Sequence, residues 1–110
     1  MIMTSLSFTL KEGGAAALVE VYRKHRILET AMTVEGCFKL AIVDGAPGTS
    51  ELRVVGFWAD RAAYQRWLDH PYRDTAEDEF DALMAADWEP TAAAEILDVL
   101  YSMPDAAGWA

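Results

Sequence analysis

The hydrophobic periodicity of this chain changes along the sequence in an order that few folds accommodate. Apolar residues recur with the two-residue period of a strand or the spacing of a helix, and the full order is strand, helix, strand, strand, helix, strand. The predicted segments are residues 3–10, 15–29, 37–43, 51–58, 60–86 with a break at 70–71, and 94–103. This order predicts an α+β fold of the ferredoxin-like βαββαβ type, with a four-stranded antiparallel sheet.

The chain is long enough to bury a core without disulfides or metals. It has 110 residues, of which 53% are hydrophobic, and a chain of this length buries roughly two thirds of its unfolded surface. No uncharged apolar run reaches the roughly 18 residues of a membrane span, and the first residues lack the pattern of a secretory signal. We expect one domain over residues 1–104, followed by a loose tail over residues 105–110.

Charge and cysteine content argue against several partners and cofactors. The formal charge of -9 gives an acidic surface that repels nucleic-acid phosphates and anionic lipids, so we expect neither nucleic acid nor membrane as a partner. Cys37 is the only cysteine, so no internal disulfide can form, and the expected location is a reducing cytoplasm. The two histidines match no metal-ligand spacing, and no glycine-rich phosphate loop follows a strand. We therefore expect no metal and no cofactor.

Apolar side chains lie on both faces of the two central predicted strands. These residues are Leu52, Val54 and Trp58 opposite Val55 and Phe57, and Phe38, Leu40 and Ile42 opposite Cys37, Ala41 and Val43. Two helices cover only one face of a four-stranded sheet, so the other face needs a partner sheet. The most economical partner is a second copy of the chain, and we expect a homodimer.

Three local patterns carry a resemblance to a known family. They are the pair Gly36 and Cys37, the W-x-D-x-x-A-Y pattern from Trp58 to Tyr64, and the pair Trp67 and Leu68 before a short break. In order and spacing these residues resemble the antibiotic biosynthesis monooxygenase (ABM) family of dimeric α/β barrels, and the resemblance covers almost the whole chain. It implies that fold. The family and its relatives include cofactor-free oxygenases of aromatic polyketides and haem-degrading enzymes, so the resemblance alone leaves the function open.

The haem-degrading branch of these enzymes is disfavoured at two positions. Its site uses an Asn near the end of the first strand, a Trp on the second helix and a His further on, and the similar positions here hold Ser7, Trp67 and Glu77. Trp67 matches. A carboxylate, however, cannot replace the neutral imidazole that haem iron needs, and Ser7 lacks the amide donor. The comparison with this branch therefore disfavours haem breakdown.

The quinone-forming oxygenases match better. Their signature is a Trp at the end of the third strand, a Tyr shortly after it and an Asn shortly before it; Trp58 and Tyr64 match, and Val54 replaces the Asn. Such enzymes need no metal or flavin, because the anion of an electron-rich phenol passes an electron to oxygen directly. The protein supplies an apolar cavity, a group that takes the phenolic proton, and donors that hold the oxyanion.

The resemblance and the residue types together predict a site between the helices and the sheet. The candidate catalytic groups are His70, Tyr64 and His25, with a histidine as the base. The candidate substrate-binding residues are Ser7, Trp58, Trp67, Tyr72, Phe80 and Asp98. Each has a structural alternative: the aromatic residues as core, His25 as a packed histidine, His70 as a helix cap, and Asp98 as an inter-subunit contact.

The leading hypothesis is a cofactor-independent monooxygenase that acts on an aromatic, polyketide-like or phenolic metabolite. Two alternatives stay open. One is a cofactor-free cyclase or isomerase of the same type of pathway, which would use the same pocket but consume no oxygen. The other is a small-molecule-binding accessory barrel without chemistry, which the replacement of the Asn by Val54 would fit.

Overall fold

The structure is a computed structural model that describes residues 1–45, 51–85 and 94–105 and residue 108. Its strands and helices are β1 (Ile2–Thr9), α1 (Gly14–Lys24), α2 (Ile27–Ala31), β2 (Cys37–Asp44), β3 (Glu51–Trp58), α3 (Arg61–Leu68), a 3-10 helix (Pro71–Asp74), α4 (Glu77–Leu83) and β4 (Glu95–Asp98). These strands form one antiparallel sheet in the order β2-β3-β1-β4. The architecture confirms the predicted ferredoxin-like α+β fold.

The pairing of β1 with β3 decides which side chains face the helices. Thr4 lies opposite Gly56, and Leu6 lies opposite Val54. Because side chains alternate along a strand, every second residue of β1 points to the helix-covered face, and the residues between them point to the other face. Thr4, Leu6 and Phe8 consequently lie side by side under the helices.

The helix-covered face is packed as two apolar clusters. The larger cluster consists of Phe8, Leu10, Leu18, Val21, Tyr22, Ile27, Leu52, Ala76 and Met84. The smaller cluster consists of Ile2, Cys37, Trp58, Ala63 and Tyr64. Trp67 is partly buried and packs against both clusters, so it joins them into one core. None of the described helices is both long and apolar enough to cross a membrane.

The predicted helix over residues 15–29 is two helices in the structure. α1 ends at Lys24, and Arg26 then adopts the left-handed conformation with φ of 52°. A left-handed residue stops an α-helix, and α2 restarts at Ile27, so that Ile27 and Ala31 are buried. The sequence does not signal this break, because Gly, Asn and Asp favour the left-handed region and Arg does not.

Cys37 lies on the opposite sheet face from the one predicted. Cys37 pairs with Trp58 and Lys39 pairs with Phe57, so two steps along β2 correspond to one step along β3. This β-bulge reverses the alternation at the start of the strand, and Cys37 joins the cluster around Trp58. The thiol is buried. Its Sγ donates to Met32 Sδ at 3.6 Å, and burial raises the pKa of the Cys37 thiol to about 11.

The last strand is shorter than predicted. The sequence pattern extended over residues 94–103, but β4 ends at Asp98. Asp98 pairs with Ile2, the first residue of β1, and beyond this pair the backbone N of Val99 donates to the backbone O of Met1 at 3.0 Å. After β4, Leu100, Tyr101 and Met103 are 95%, 83% and 79% exposed. Most of the predicted tail over residues 105–110 lies outside the described residues, and the domain boundary at residue 104 stays a prediction.

Candidate functional site

A cavity of about 250 Å³ lies between the sheet and the helices. Its floor is formed by residues of β1 and β3, namely Thr4, Leu6, Phe8, Val54, Gly56 and Trp58. The aromatic residues that the helices add to its walls are Tyr22, Tyr64, Trp67 and Phe80. Apolar and aromatic walls with a few polar groups are the usual composition of a small-molecule site.

Two tilted aromatic contacts fix the shape of the walls. The rings of Tyr22 on α1 and Phe80 on α4 have centroids 5.2 Å apart and planes at 45°. The rings of Trp58 on β3 and Tyr64 on α3 have centroids 5.3 Å apart and planes at 60°. Aromatic pairs favour such tilted arrangements, so the contacts hold three helices and one strand around the cavity in defined positions.

The floor of the cavity carries a buried polar pair. Trp58 Nε1 donates a hydrogen bond of 3.0 Å to Thr4 Oγ1. Trp58 is 1% exposed and Thr4 is 5% exposed. A buried indole N–H needs an acceptor. Thr4, the diagonal neighbour of Trp58 on the paired strand β1, supplies it.

The wall tyrosines share the field of one cation. Burial raises the pKa of Tyr22 from its ordinary value of 10.0 to about 12, and the positive charge of Arg73 opposes this rise. Burial also raises the pKa of Tyr64, again opposed by Arg73. Each phenol therefore keeps its proton at neutral pH and remains a hydrogen-bond donor. Donors beside a permanent cation favour an anionic oxygen in the cavity.

The mouth of the cavity is charged. Arg73 and Asp74 belong to the 3-10 helix, and Glu77 and Asp81 belong to α4. All four residues are exposed, so solvent screens their charges. The mouth therefore carries three carboxylates and one guanidinium group. Within the described part of the chain, no group of three or more His, Cys, Asp or Glu side chains could hold a metal ion.

Four of the candidate site residues lie around the cavity, and their roles stay predictions. They are Trp58, Tyr64, Trp67 and Phe80. Ser7 is placed elsewhere: it pairs with Arg53 and alternates with Leu6 and Phe8, so its side chain points to the opposite face of the sheet. The position of Ser7 near the end of the first strand suggested the cavity, but the two-residue period of the strand excludes it.

Neither histidine is among the residues that line the cavity. His25 ends α1, and its Nε2 lies 3.1 Å from Glu79 Oε1. His70 caps the 3-10 helix, where its Nδ1 accepts a hydrogen bond of 3.1 Å from the backbone N of Tyr72 and its ring lies 5.6 Å from that of Trp67. These partners are structural, and the expected contact between a histidine base and the cavity is not found.

Tyr72 and Asp98 also lie outside the cavity lining. The hydroxyl of Tyr72 donates to the backbone oxygen of His25 and so ties the 3-10 helix to the end of α1. Asp98 Oδ1 accepts from Arg61 Nη1 at 3.2 Å, with both side chains largely exposed. Of the two expected placements of Asp98, the pocket is not supported, and an inter-subunit contact stays a prediction.

The sequence analysis missed six polar residues of the cavity: the carboxylates Asp74, Glu77 and Asp81 at its mouth, and Thr4, Tyr22 and Arg73. The last three matter most for the chemistry. A signal existed for two of them. Thr4 lies two residues before Leu6 in the predicted first strand, so the two-residue period places both on one face, and Tyr22 lies on the apolar stripe of the first helix. Arg73 had no signal, because it follows Pro71 in the break between two helices, where no periodicity predicts a direction.

We expect the protein to lose stability at alkaline pH. The folded state raises the pKa of Tyr22 from 10.0 to about 12 and that of Cys37 from 9.0 to about 11. A group with a raised folded pKa contributes stability that is complete below its unfolded pKa and is lost as pH rises through its folded pKa. The free energy of unfolding should therefore be steady from pH 7 to about 9 and then fall toward pH 12.

Urea denaturation at a series of pH values measures this loss. The free energy of unfolding of the variant Tyr22→Phe should fall less steeply above pH 10 than that of the wild type, because phenylalanine has no hydroxyl proton to lose. A free energy of unfolding that stays level between pH 9 and 11 would contradict the burial of these groups.

Solved structures share this fold at low sequence identity. A protein from Nitrosomonas europaea matches with a TM-score of 0.73 and 20% identity, over 92% of this chain and 100% of that chain. Rv0793 from Mycobacterium tuberculosis matches with a TM-score of 0.71 and 15% identity, over 92% of this chain and 96% of that chain. SnoaB, described as a cofactor-independent oxygenase from Streptomyces nogalater, matches with a TM-score of 0.68 and 17% identity, over 94% of this chain and 97% of that chain. At these identities the likeness shows the fold alone.

Comparison of the sequence with known families gives a match over most of the chain. No curated protein matches it. The family model described as antibiotic biosynthesis monooxygenase matches residues 1–79, which contain β1 to β3, α3 and the start of α4. This segment supplies the whole floor of the cavity and most of its walls, and it confirms the family resemblance read from the sequence. The chain therefore belongs to the antibiotic biosynthesis monooxygenase family.

Proposed function

We propose that the chain is a cofactor-independent monooxygenase that oxidises an electron-rich aromatic compound with a phenolic or anthrone-like oxygen. One observation carries the proposal: a cavity with aromatic walls holds Tyr22 and Tyr64, two neutral phenols, within the field of Arg73. The membership of the family and the likeness to SnoaB support the reaction type. The volume of about 250 Å³ suits a small aromatic molecule.

The chemistry asks little of the protein. The substrate loses a proton, and its anion transfers one electron to molecular oxygen. The substrate radical and superoxide then combine at carbon to give a peroxide, which takes up the proton and loses water, so that one oxygen atom enters the product as a carbonyl and the other leaves as water. In this proposal the aromatic walls hold the rings, the hydroxyls of Tyr22 and Tyr64 donate to the anionic oxygen, and Arg73 stabilises its charge. The rim carboxylates Glu77 and Asp81 accept the proton at the mouth, a role that neither histidine is positioned to take.

The reaction is tested with an oxygen electrode. The probe is 1,8-dihydroxyanthrone, with EDTA present to remove trace metals. We expect the protein to accelerate oxygen uptake by at least about tenfold over buffer, which corresponds to about 1.4 kcal/mol of differential stabilisation of the anion.

Leu28→Trp tests whether the reaction takes place in the cavity, because it enlarges a partly buried residue of the lining. This variant should take up oxygen more slowly than the wild type, and its circular dichroism spectrum should be unchanged. Conversion of a probe without oxygen uptake would favour the cyclase alternative. Tight binding without conversion would favour the accessory barrel, which Val54 in place of an amide also fits.

We also propose that the protein is a homodimer whose two sheets pack face to face. The face away from the helices carries Val43 and Leu97, which are 40% and 47% exposed. On the same face, among the described residues, Ser5 Oγ and Arg53 Nε are buried without a hydrogen-bond partner. Apolar side chains that remain exposed beside unsatisfied polar atoms favour a covering partner, and a second copy is the simplest one.

Light scattering at micromolar concentration should give about twice the chain mass of 12.2 kDa. The double variant Val43→Glu, Leu97→Glu adds charges to this face and should shift the protein toward the monomer. Arg23→Glu, on the exposed surface of α1, serves as the control for a changed surface charge. A wild-type protein that stays monomeric at 100 micromolar, roughly the concentration at which weak dimers form, would contradict the face-to-face dimer.

A further inference from the structure

The polar pair on the cavity floor has a hydrogen that its internal contact does not use. An indole Nε1 is a donor only, so in the 3.0 Å contact Thr4 Oγ1 must accept from Trp58. A threonine hydroxyl can accept and donate at the same time. The hydroxyl proton of Thr4 takes no part in this bond, and the Thr4 side chain lines the cavity.

The backbone register builds the pair into the sheet. Thr4 lies opposite Gly56, two residues before Trp58 in β3. A Cβ at Gly56 would lie 2.8 Å from Trp58 Nε1, 2.9 Å from Leu40 Cδ2 and 3.3 Å from Thr4 Oγ1. Any larger side chain at position 56 would thus displace the indole and crowd the hydroxyl. The glycine leaves the space in which the indole reaches Thr4 and the hydroxyl reaches the cavity.

The hydroxyl is also the polar group of an otherwise apolar floor. The other described floor residues are Leu6, Phe8, Val54, Gly56 and Trp58, and the single polar hydrogen among their side chains, that of the indole, is already given to Thr4. Accepting a bond from the indole polarises the hydroxyl and strengthens it as a donor. A ligand oxygen at the floor would meet this donor.

We propose that the Thr4 hydroxyl is the hydrogen-bond donor that recognises a carbonyl or phenolate oxygen of an aromatic ligand at the cavity floor. Trp58 acts through Thr4: its N–H orients the hydroxyl, and its ring contacts the ligand. This inference rests on the proposed function, because it assigns the residue that selects the oxygen-bearing ligand of the same cavity. It also gives a physical substitute for the amide that Val54 does not provide.

The internal bond is tested without any ligand. In a 15N-correlated NMR spectrum the indole N–H of Trp58 should shift upfield in Thr4→Val, which keeps the shape of the side chain and removes the acceptor. It should return to within a small difference of the wild-type position in Thr4→Ser, which keeps the hydroxyl. An indole resonance that does not respond to Thr4→Val would overturn the inference at its first step.

Recognition is tested with two probes that differ by one oxygen. Anthrone carries a carbonyl where 9,10-dihydroanthracene carries a methylene group, and binding is measured under nitrogen so that neither is oxidised. Thr4→Val should weaken anthrone binding by about two- to tenfold, the effect of one hydrogen bond, and should leave dihydroanthracene binding unchanged within about twofold. Thr4→Ser should bind anthrone nearly as the wild type does.

The outcomes separate this inference from the function on which it rests. Equal weakening of both probes in Thr4→Val would mean that Thr4 only packs, and unchanged anthrone binding would mean that another group meets the oxygen; either result overturns the role of Thr4 while the aromatic site stands. A wild-type protein that binds neither probe would overturn the aromatic site itself, and the role of Thr4 with it.

Discussion

Replacing Trp58 by alanine should lower the free energy of unfolding by about 3–5 kcal/mol. The indole is 1% exposed and packs with Ile2, Cys37 and Tyr64 in the smaller core cluster. Truncation would open a cavity that the paired strands cannot close, and it would leave Thr4 without its donor. Domains of this size have about 5–15 kcal/mol of stability in total, so the loss is a large fraction of it.

Urea denaturation followed by far-ultraviolet circular dichroism measures this change without relying on tryptophan fluorescence. Leu100→Ala is the matched control: it removes an apolar side chain that is 95% exposed, and it should change the free energy of unfolding by no more than about 0.5 kcal/mol. If Trp58→Ala costs about as little as Leu100→Ala, the indole is not part of the core. Its contacts with Tyr64 and Thr4 would then need another explanation.

Elements with strong local signals were predictable from the sequence. The third strand was predicted over residues 51–58, and β3 has these bounds, because the segment is rich in strand-forming residues and turn residues precede it. The second helical region was predicted to begin at residue 60, where an Asp is a local N-cap signal, and Asp60 Oδ1 accepts from the backbone N of Ala63 at 2.8 Å. In both cases the determining interactions lie within a few residues of the signal.

Elements whose shape depends on distant contacts were not predictable. The left-handed residue Arg26 and the bulge after Cys37 both change which side chains are buried, yet neither residue type favours its conformation. β4 ends at Asp98 although the alternating sequence pattern continues to residue 103. Such features follow from pairing and packing across the fold, which periodicity does not contain.

The candidate site was predictable where aromatic residues lie on regular elements. Trp58, Tyr64 and Trp67 follow the strand and helix periods, so their common face could be inferred. The two histidines could not be placed in this way, because His25 lies at the end of a helix and His70 at a break, where the chain changes direction. Residue type alone then favoured a chemical role for two side chains that have structural partners.

Tyr64→Phe should lower kcat/KM for oxygen uptake with 1,8-dihydroxyanthrone by about ten- to hundredfold. In the proposed reaction the hydroxyl donates to the anionic oxygen of the substrate, and losing a hydrogen bond to a charged group costs about 1.5–3 kcal/mol. The phenyl ring keeps the tilted contact with Trp58 at 5.3 Å, so the fold should be retained. The loss should appear mainly in kcat, since the negative charge develops as the substrate is deprotonated.

Tyr101→Phe is the matched control, because it makes the same chemical change at a hydroxyl that is 83% exposed. It should leave kcat/KM unchanged within about twofold. Arg73→Met provides a readout that needs no substrate: since the guanidinium lowers the pKa values of Tyr22 and Tyr64, its removal should move the titration of these phenols, followed by absorbance, to higher pH. Suppose that Tyr64→Phe turns over the anthrone as the wild type does, and that Arg73→Met still shifts the titration of the phenols. The positive charge of Arg73 then acts on the cavity, but the substrate oxygen does not lie beside Tyr64. The anion would then have to be held by Tyr22 alone, and Tyr22→Phe would carry the full loss.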